Sequence, residues 1–199
     1  MIKNMENLKK QIQSVVDIFK SGDLTKAELL SKKLLDSNPK VVFLLNLLGL
    51  ILSGQGKNEQ AIQTYEKAIK VDPNFAMQYN NLGLLYVNYK PDYKKAESLY
   101  KKSISLDQKI PEPHNNLGSL YNSLNKYEDA IKCFKKAMII NPKFSPSHHN
   151  IANVYVTTGK FTEARKHFKE SIKLNPNYSN SHRALSRLIK YTNTEKHLN

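Results

Sequence analysis

Tryptophan is absent from this 199-residue chain, cysteine occurs once, and glycine and arginine are scarce. A single cysteine, Cys133, excludes an internal disulfide framework and a cysteine-rich metal site, and it fits a reducing compartment. Long apolar runs are missing too. The longest, Val41 to Leu52, is broken by Asn46 and Gly49 and falls short of the ~20 residues a bilayer span needs. The opening Met1-Ile2-Lys3-Asn4-Met5-Glu6 carries no apolar signal-peptide core, so neither export by that route nor a membrane anchor is expected. Asn177-Tyr178-Ser179 has the form of a glycosylation sequon, which without a secretory signal is read as chance. The expectation is a cytoplasmic protein that does not engage a membrane.

Acidic residues are outnumbered 17 to 31 by basic ones, giving a formal net charge of +14. Only Arg165, Arg183 and Arg187 are arginines; the other basic residues are lysines. Lysine is a hydrated point charge, whereas arginine is the usual residue for bidentate phosphate or base readout. An excess of Lys, Asn and Ile also follows from an AT-rich genome. A solubilising surface is therefore preferred over a phosphate track.

What the sequence does have is an internal repeat. Pro39 and Pro73 lie 34 residues apart, as do Pro142 and Pro176. Asn81-Leu82-Gly83 returns as Asn116-Leu117-Gly118 and then as Asn150-Ile151-Ala152, and Leu47-Leu48-Gly49 is a degenerate version. Behind each follows Ala with an aromatic four residues on: Ala61/Tyr65, Ala96/Tyr100, Ala130/Phe134 and Ala164/Phe168. A third small residue comes at Ala68, Ser103, Ala137 and Ser171.

Such spacing describes two packed helices per period, each with one apolar stripe. Gly49, Gly83, Gly118 and Ala152 fall mid-helix, where Gly costs about 1 kcal/mol relative to Ala. Close approach of the second helix is the reason expected, with Ala61, Ala96, Ala130 and Ala164 as matching small residues. Gly22, Gly56 and Gly159 fall in the turn between the helices, where a positive φ is needed. Asn125 and Lys90 take that slot in the other two repeats. Asp72-Pro73, Asn141-Pro142 and Asn175-Pro176 end second helices, because the residue before Pro is disfavoured in α.

This pattern resembles the tetratricopeptide repeat (TPR) family, a helix–turn–helix with Leu-Gly, Tyr, Ala, aromatic, Ala and Pro at fixed offsets. The resemblance implies an all-α, right-handed α-solenoid forming a single domain over 1–199. Repeats are assigned at about 8–41, 42–75, 76–110, 111–144 and 145–178, with a capping helix at about 179–192 and a tail at 193–199. The first repeat is degenerate, with Val15 for the Gly and Ser31 for the aromatic, as expected where one face meets water. The third carries one extra residue, read as Pro91 in its turn. Ala184, Leu185 and Leu188 point the capping helix inward.

By the same resemblance the first helices line a concave surface and the second helices face outward. Lys67, Lys70, Lys94, Lys95, Lys101, Lys102, Lys132, Lys135, Lys136, Lys166, Lys169 and Lys173 then lie on the convex side, read as a solvated face. The concave positions are rich in amides. Asn46, Asn80, Asn115 and His149 recur at one site; Asn81, Asn116 and Asn150 recur at the next. Asn153, Ser119, Asn122 and Asn88 lie further along. A row of Asn can hydrogen-bond an extended peptide backbone without reading its side chains; the alternative is composition bias on a polar surface. The Asn81, Asn116 and Asn150 column is similar to the asparagine ladder of O-linked N-acetylglucosamine transferase repeats, broken here at Leu47. Asn180, Arg183, Arg187 and Lys190 form one stripe on the capping helix. Arg183, Arg187 and Lys190 would hold an acidic segment or a peptide C-terminus, or else only keep an exposed face wet. The carboxylate clamp of chaperone-binding repeats is not matched, since Ile12 and Val16 stand at its positions.

No metal, cofactor or catalytic residue is expected. His114, His148 and His182 share the repeat position of Leu45 and Tyr79 and are read as packing residues. First helices some 8–10 Å apart do not bring ligands within the ~2.1 Å that zinc requires. His148 and His149 diverge by about 100° around one helix. There is no Gly-rich phosphate loop, nucleophile elbow, HExxH or paired-Cys motif. The expected function is a non-catalytic protein–protein interaction scaffold binding an extended protein or peptide segment. One alternative is the recognition part of a glycosyltransferase or sulfotransferase, suggested by Ser186-Arg187-Leu188-Ile189-Lys190-Tyr191. The other is nucleic-acid binding through the lysine face, which lacks interleaved aromatics.

Overall fold

The structure, a computed structural model, describes residues 2–196, with side-chain surroundings from residue 6 to residue 192. Among the described residues there are eleven α-helices and no strand, so the all-α class is observed. They run α1 (Ile2–Lys20), α2 (Leu24–Ser37), α3 (Val42–Gly54), α4 (Asn58–Val71), α5 (Ala76–Asn88), α6 (Tyr93–Leu106), α7 (Pro111–Ser123), α8 (Tyr127–Ile140), α9 (Ser145–Thr157), α10 (Phe161–Leu174) and α11 (Ser179–Lys196). The last runs past the expected end at residue 192, since no Gly or Pro follows Tyr191 to stop it. Residues 197–199 of the expected tail lie outside the described residues.

Two compact units divide the chain, 1–106 with α1–α6 and 107–199 with α7–α11. The division falls directly after α6, near the end of the third repeat. Within each unit a helix packs on the next in the chain, and α3 also meets α5 while α9 also meets α7 and α11.

The repeat landmarks form the core. Ala61, Tyr65, Ala96 and Tyr100 are buried in the first unit, and Ala130, Phe134, Ala164 and Phe168 in the second. Each ring contributes roughly 1.5–3 kcal/mol of burial. The mid-helix glycines face these rings. A Cβ on Gly49 would come 2.5 Å from Tyr65, on Gly83 2.7 Å from Tyr100, and on Gly118 2.7 Å from Phe134. The nearest neighbour on the second helix is thus the aromatic ring, and at Gly118 the Ala130 carbonyl oxygen is also close, at 3.1 Å.

Turns follow the expected chemistry with one exception. Gly22, Gly56, Gly159 and Asn125 adopt positive φ. Lys90 does not, because the residue inserted with Pro91 lets the chain close another way, Asp92 N–H donating to the Tyr86 carbonyl at 2.8 Å. At the ends of the second helices Asp72, Asp107, Asn141 and Asn175 each accept a hydrogen bond from the backbone N–H two residues on, the Asx turn that stops a helix.

Candidate functional site

The asparagine columns are spent largely on the fold. In the first unit Asn46, Asn80 and Asn81 are buried. Asn80 Nδ2 donates to Asn81 Oδ1 at 3.1 Å, and Asn81 Nδ2 donates to Asn46 Oδ1 at 3.0 Å, tying α5 to α3. In the second unit buried Asn115 accepts from Asn150 Nδ2 at 3.0 Å and from Ser147 Oγ at 3.1 Å. Asn150 also reaches Ser119 Oγ at 3.3 Å, tying α9 to α7. Asn116 is half-buried. Asn81 and Asn150 thus form rungs between first helices, α5 to α3 in the first unit and α9 to α7 in the second.

The rung pattern breaks at its last step. One period beyond Asn150 stands Ala184, and one period beyond Asn115 stands His149. His149 recovers its contacts elsewhere. Its Nδ1 lies 2.9 Å from Ser181 Oγ, Ser181 Oγ lies 2.9 Å from Ser171 Oγ, and Ser171 Oγ donates to the Ser145 carbonyl at 3.0 Å. A hydroxyl has one proton to give. Ser171 gives its proton to Ser145, so it accepts from Ser181, and Ser181 must accept from His149. The imidazole therefore carries its proton on Nδ1, and its bare Nε2 takes the Asn153 amide at 3.0 Å. Burial lowers the affinity of His149 for a second proton, and the ring sits against Phe168 and Tyr178.

Over Ala184 the surface opens. One cleft of about 440 Å³ is lined by Asn153, Val156, Phe161, Phe168, Ala184, Arg187, Leu188 and Tyr191. A second, of about 320 Å³, is lined by His149, Asn153, Asn180, Arg183, Ala184 and Arg187. Asn153, Ala184 and Arg187 line both, so the two adjoin. Phe168 and Leu188, which belong to a buried cluster with Ala152 and Ala164, give the larger cleft an apolar floor. Arg183 donates to Asn180 Oδ1 at 2.6 Å, and no lining residue of either cleft is acidic.

The structure thus brings His149 and Asn153 together with Arg183 and Arg187, four site residues read from separate helices. Lys190 is exposed on α11 and lines neither cleft. Phe161 and Val156 were not singled out from sequence, nor were Tyr191 and Ala184 as cleft residues; the departure of Ala184 from the Asn column was the available signal. His148 is half-buried with its Nδ1 3.3 Å from that of His167, a partner on the neighbouring helix. His182 Nε2 lies 2.8 Å from the Pro176 carbonyl. Among the described residues no cluster of three His, Cys, Asp or Glu could hold a metal ion.

An all-α chain of antiparallel helix pairs, joined by rungs between first helices, is a helical repeat protein. Tetratricopeptide-repeat family profiles match residues 49–88, 79–110, 111–144 and 145–178, and the chain belongs to that family. The uncharacterized protein ycf37 of Pyropia yezoensis is 37% identical over 78 residues, 39% of this chain and 43% of that one. The match therefore spans less than half the length of that relative. The crystal structure of MamA is 25% identical with a TM-score of 0.64, covering 82% of this chain and 95% of that one. A thermophilic TPR protein of Thermus thermophilus superposes with a TM-score of 0.80 over 92% of this chain and 98% of its own. At 18% identity that likeness shows the fold alone.

Proposed function

We propose that the chain is a non-catalytic interaction module that binds an extended segment of a partner protein on the first-helix faces of its second unit, the binding ending at the basic stripe of α11. The single observation behind this reading is the pair of adjoining clefts where His149 and Asn153 of α9 meet Arg183 and Arg187 of α11 over an apolar floor. Repeats of this family mediate protein–protein contacts, and an apolar cleft with few polar groups is the usual form of a recognition site. The buried amides Asn46, Asn80, Asn81 and Asn115 act in this reading as scaffold, while Asn153, Asn150, Asn116 and His149 remain at the surface to meet the segment.

The test is capture from a cell lysate at low and high salt, followed by cross-linking and mapping of the linked residues. The reading expects a protein retained at high salt, with cross-links on α7, α9 and α11. Retention of nucleic acid alone, lost at high salt, would transfer the function to the lysine-rich second helices, because phosphate contacts release counterions and weaken steeply with salt.

A further inference from the structure

At the rung positions Asn81 and Asn150 carry amides that reach the preceding first helix, Asn81 to Asn46 and Asn150 to Asn115. At 184 the residue is alanine, and both clefts lie over it. An asparagine there would stand where Asn150 stands one period earlier, with its amide directed to the preceding first helix. The missing side chain is what leaves the space open.

Three groups border that space with chemistry to spare. Phe161 and Leu188 present apolar surface. Asn153 gives one N–H to His149 Nε2, which fixes the amide and leaves Oδ1 without a donor among the described residues. Arg187 has no hydrogen bond or ion pair among the described residues, although it lines both clefts. A guanidinium between two clefts with no acidic lining residue is complementary to a carboxylate, which it binds as a fork. Because the clefts run into one another along α11, they suit a chain that passes through.

We propose that these clefts bind an internal, extended peptide segment in which a bulky apolar side chain is next to an aspartate or glutamate. The apolar side chain enters the larger cleft, a backbone N–H of the segment donates to Asn153 Oδ1, and the carboxylate bridges Arg187 and Arg183. This rests on the reading of the chain as an interaction module and names the chemistry of its partner.

The experiment is selection of random peptides on the full chain, made in parallel with amidated and with free C-termini, with affinities of selected peptides measured by fluorescence anisotropy. The expected consensus is a bulky apolar residue beside Asp or Glu. Affinity should fall about tenfold or more with Arg187→Ala, with Ala184→Asn, and with Glu→Gln in the peptide. Arg187→Glu should turn the preference toward a peptide with Lys in place of the carboxylate. Ala184→Asn fills the cleft without removing a charge, and its unchanged helicity and melting temperature would separate blocked binding from unfolding. Selected peptides that lack a carboxylate, or that bind Arg187→Ala and Ala184→Asn as well as the parent, would overturn the proposal and leave the interaction reading standing. Binding that requires a free C-terminus would overturn the internal segment. If no peptide is selected, both readings fall.

Discussion

At Gly118 an added Cβ would lie 2.7 Å from the Phe134 ring and 3.1 Å from the Ala130 carbonyl oxygen. The ring is fully buried and the carbonyl is backbone, so neither can move aside cheaply. Gly118→Ala gains about 1 kcal/mol of helix propensity and loses more to overpacking, which runs to about 1–3 kcal/mol. The net expectation is a loss of up to about 2 kcal/mol in urea denaturation. Gly54 supplies the contrast. Its Cβ would meet Leu24 Cδ1 at 3.2 Å, the far end of a flexible side chain, so Gly54→Ala should be close to neutral. Equal losses at the two sites would mean that ring contact is not the reason for glycine at 118. The sequence shows which positions must be small, since the penalty recurs at a fixed period. It does not show the neighbour, because helix spacing alone does not fix how the facing side chain turns.

Between elements, the amide rungs and a histidine pair make distinct demands. Asn150→Ala deletes a hydrogen bond to Asn115, which keeps Ser147 as a donor, so the cost should be about 1 kcal/mol. Asn81→Ala deletes the donor to buried Asn46 and the acceptor of Asn80 together, and should cost about 1–3 kcal/mol. Guanidinium unfolding curves of the two variants give the comparison, and a larger cost at 150 would contradict the rung account. The second contact is His148 on α9 against His167 on α10, ring centroids 5.4 Å apart. Burial first, then His148, Lys166 and Lys135, push His167 down to about 4, with Glu170 opposing; burial also lowers His148. Both lie below the ordinary 6.5, so as pH falls the unfolded chain takes up protons first. Their contribution is whole above about pH 6.5 and is lost as pH falls from there toward 4. Half-exposed rings are screened by solvent, so the loss should be about 1–2 kcal/mol. His167→Gln should flatten the fall of melting temperature with acid, and an unchanged slope would exclude the pair as its source. These residues also mark where sequence reading stops. The Asn columns were legible as a periodic feature, but an amide buried between helices and one exposed in a groove have the same spacing. His148 and His167 stand 19 residues apart, a separation set by where α9 turns back as α10 and not by any helical period.

For the whole molecule, charge is the property that the repeats do not balance. The net charge is +14, and the lysines of the second helices from Lys67 to Lys173 that were assigned to the outer face are exposed throughout. Their attractive contacts are weak ones. Lys101–Glu97, Lys132–Asp129 and Lys173–Glu170 are pairs one turn apart on exposed helix, a type worth about 0–1 kcal/mol. Glu28 is better held, buried between Lys32 and Lys57 at 2.6 Å each, and these lysines bring its carboxyl down to about 2. Repulsion among the lysines acts over longer distances than these contacts, and salt reaches it first. The screening length falls from about 30 Å at 0.01 M to about 8 Å at 0.15 M, which removes most of the repulsion and leaves the Glu28 pairs largely intact. Stability should therefore rise with sodium chloride over that range, by on the order of 1 kcal/mol, the sum of several screened surface terms. Urea midpoints at the two ionic strengths measure it directly. A midpoint that falls with salt would mean that the ion pairs, and not the lysine surplus, set the electrostatic balance of the fold.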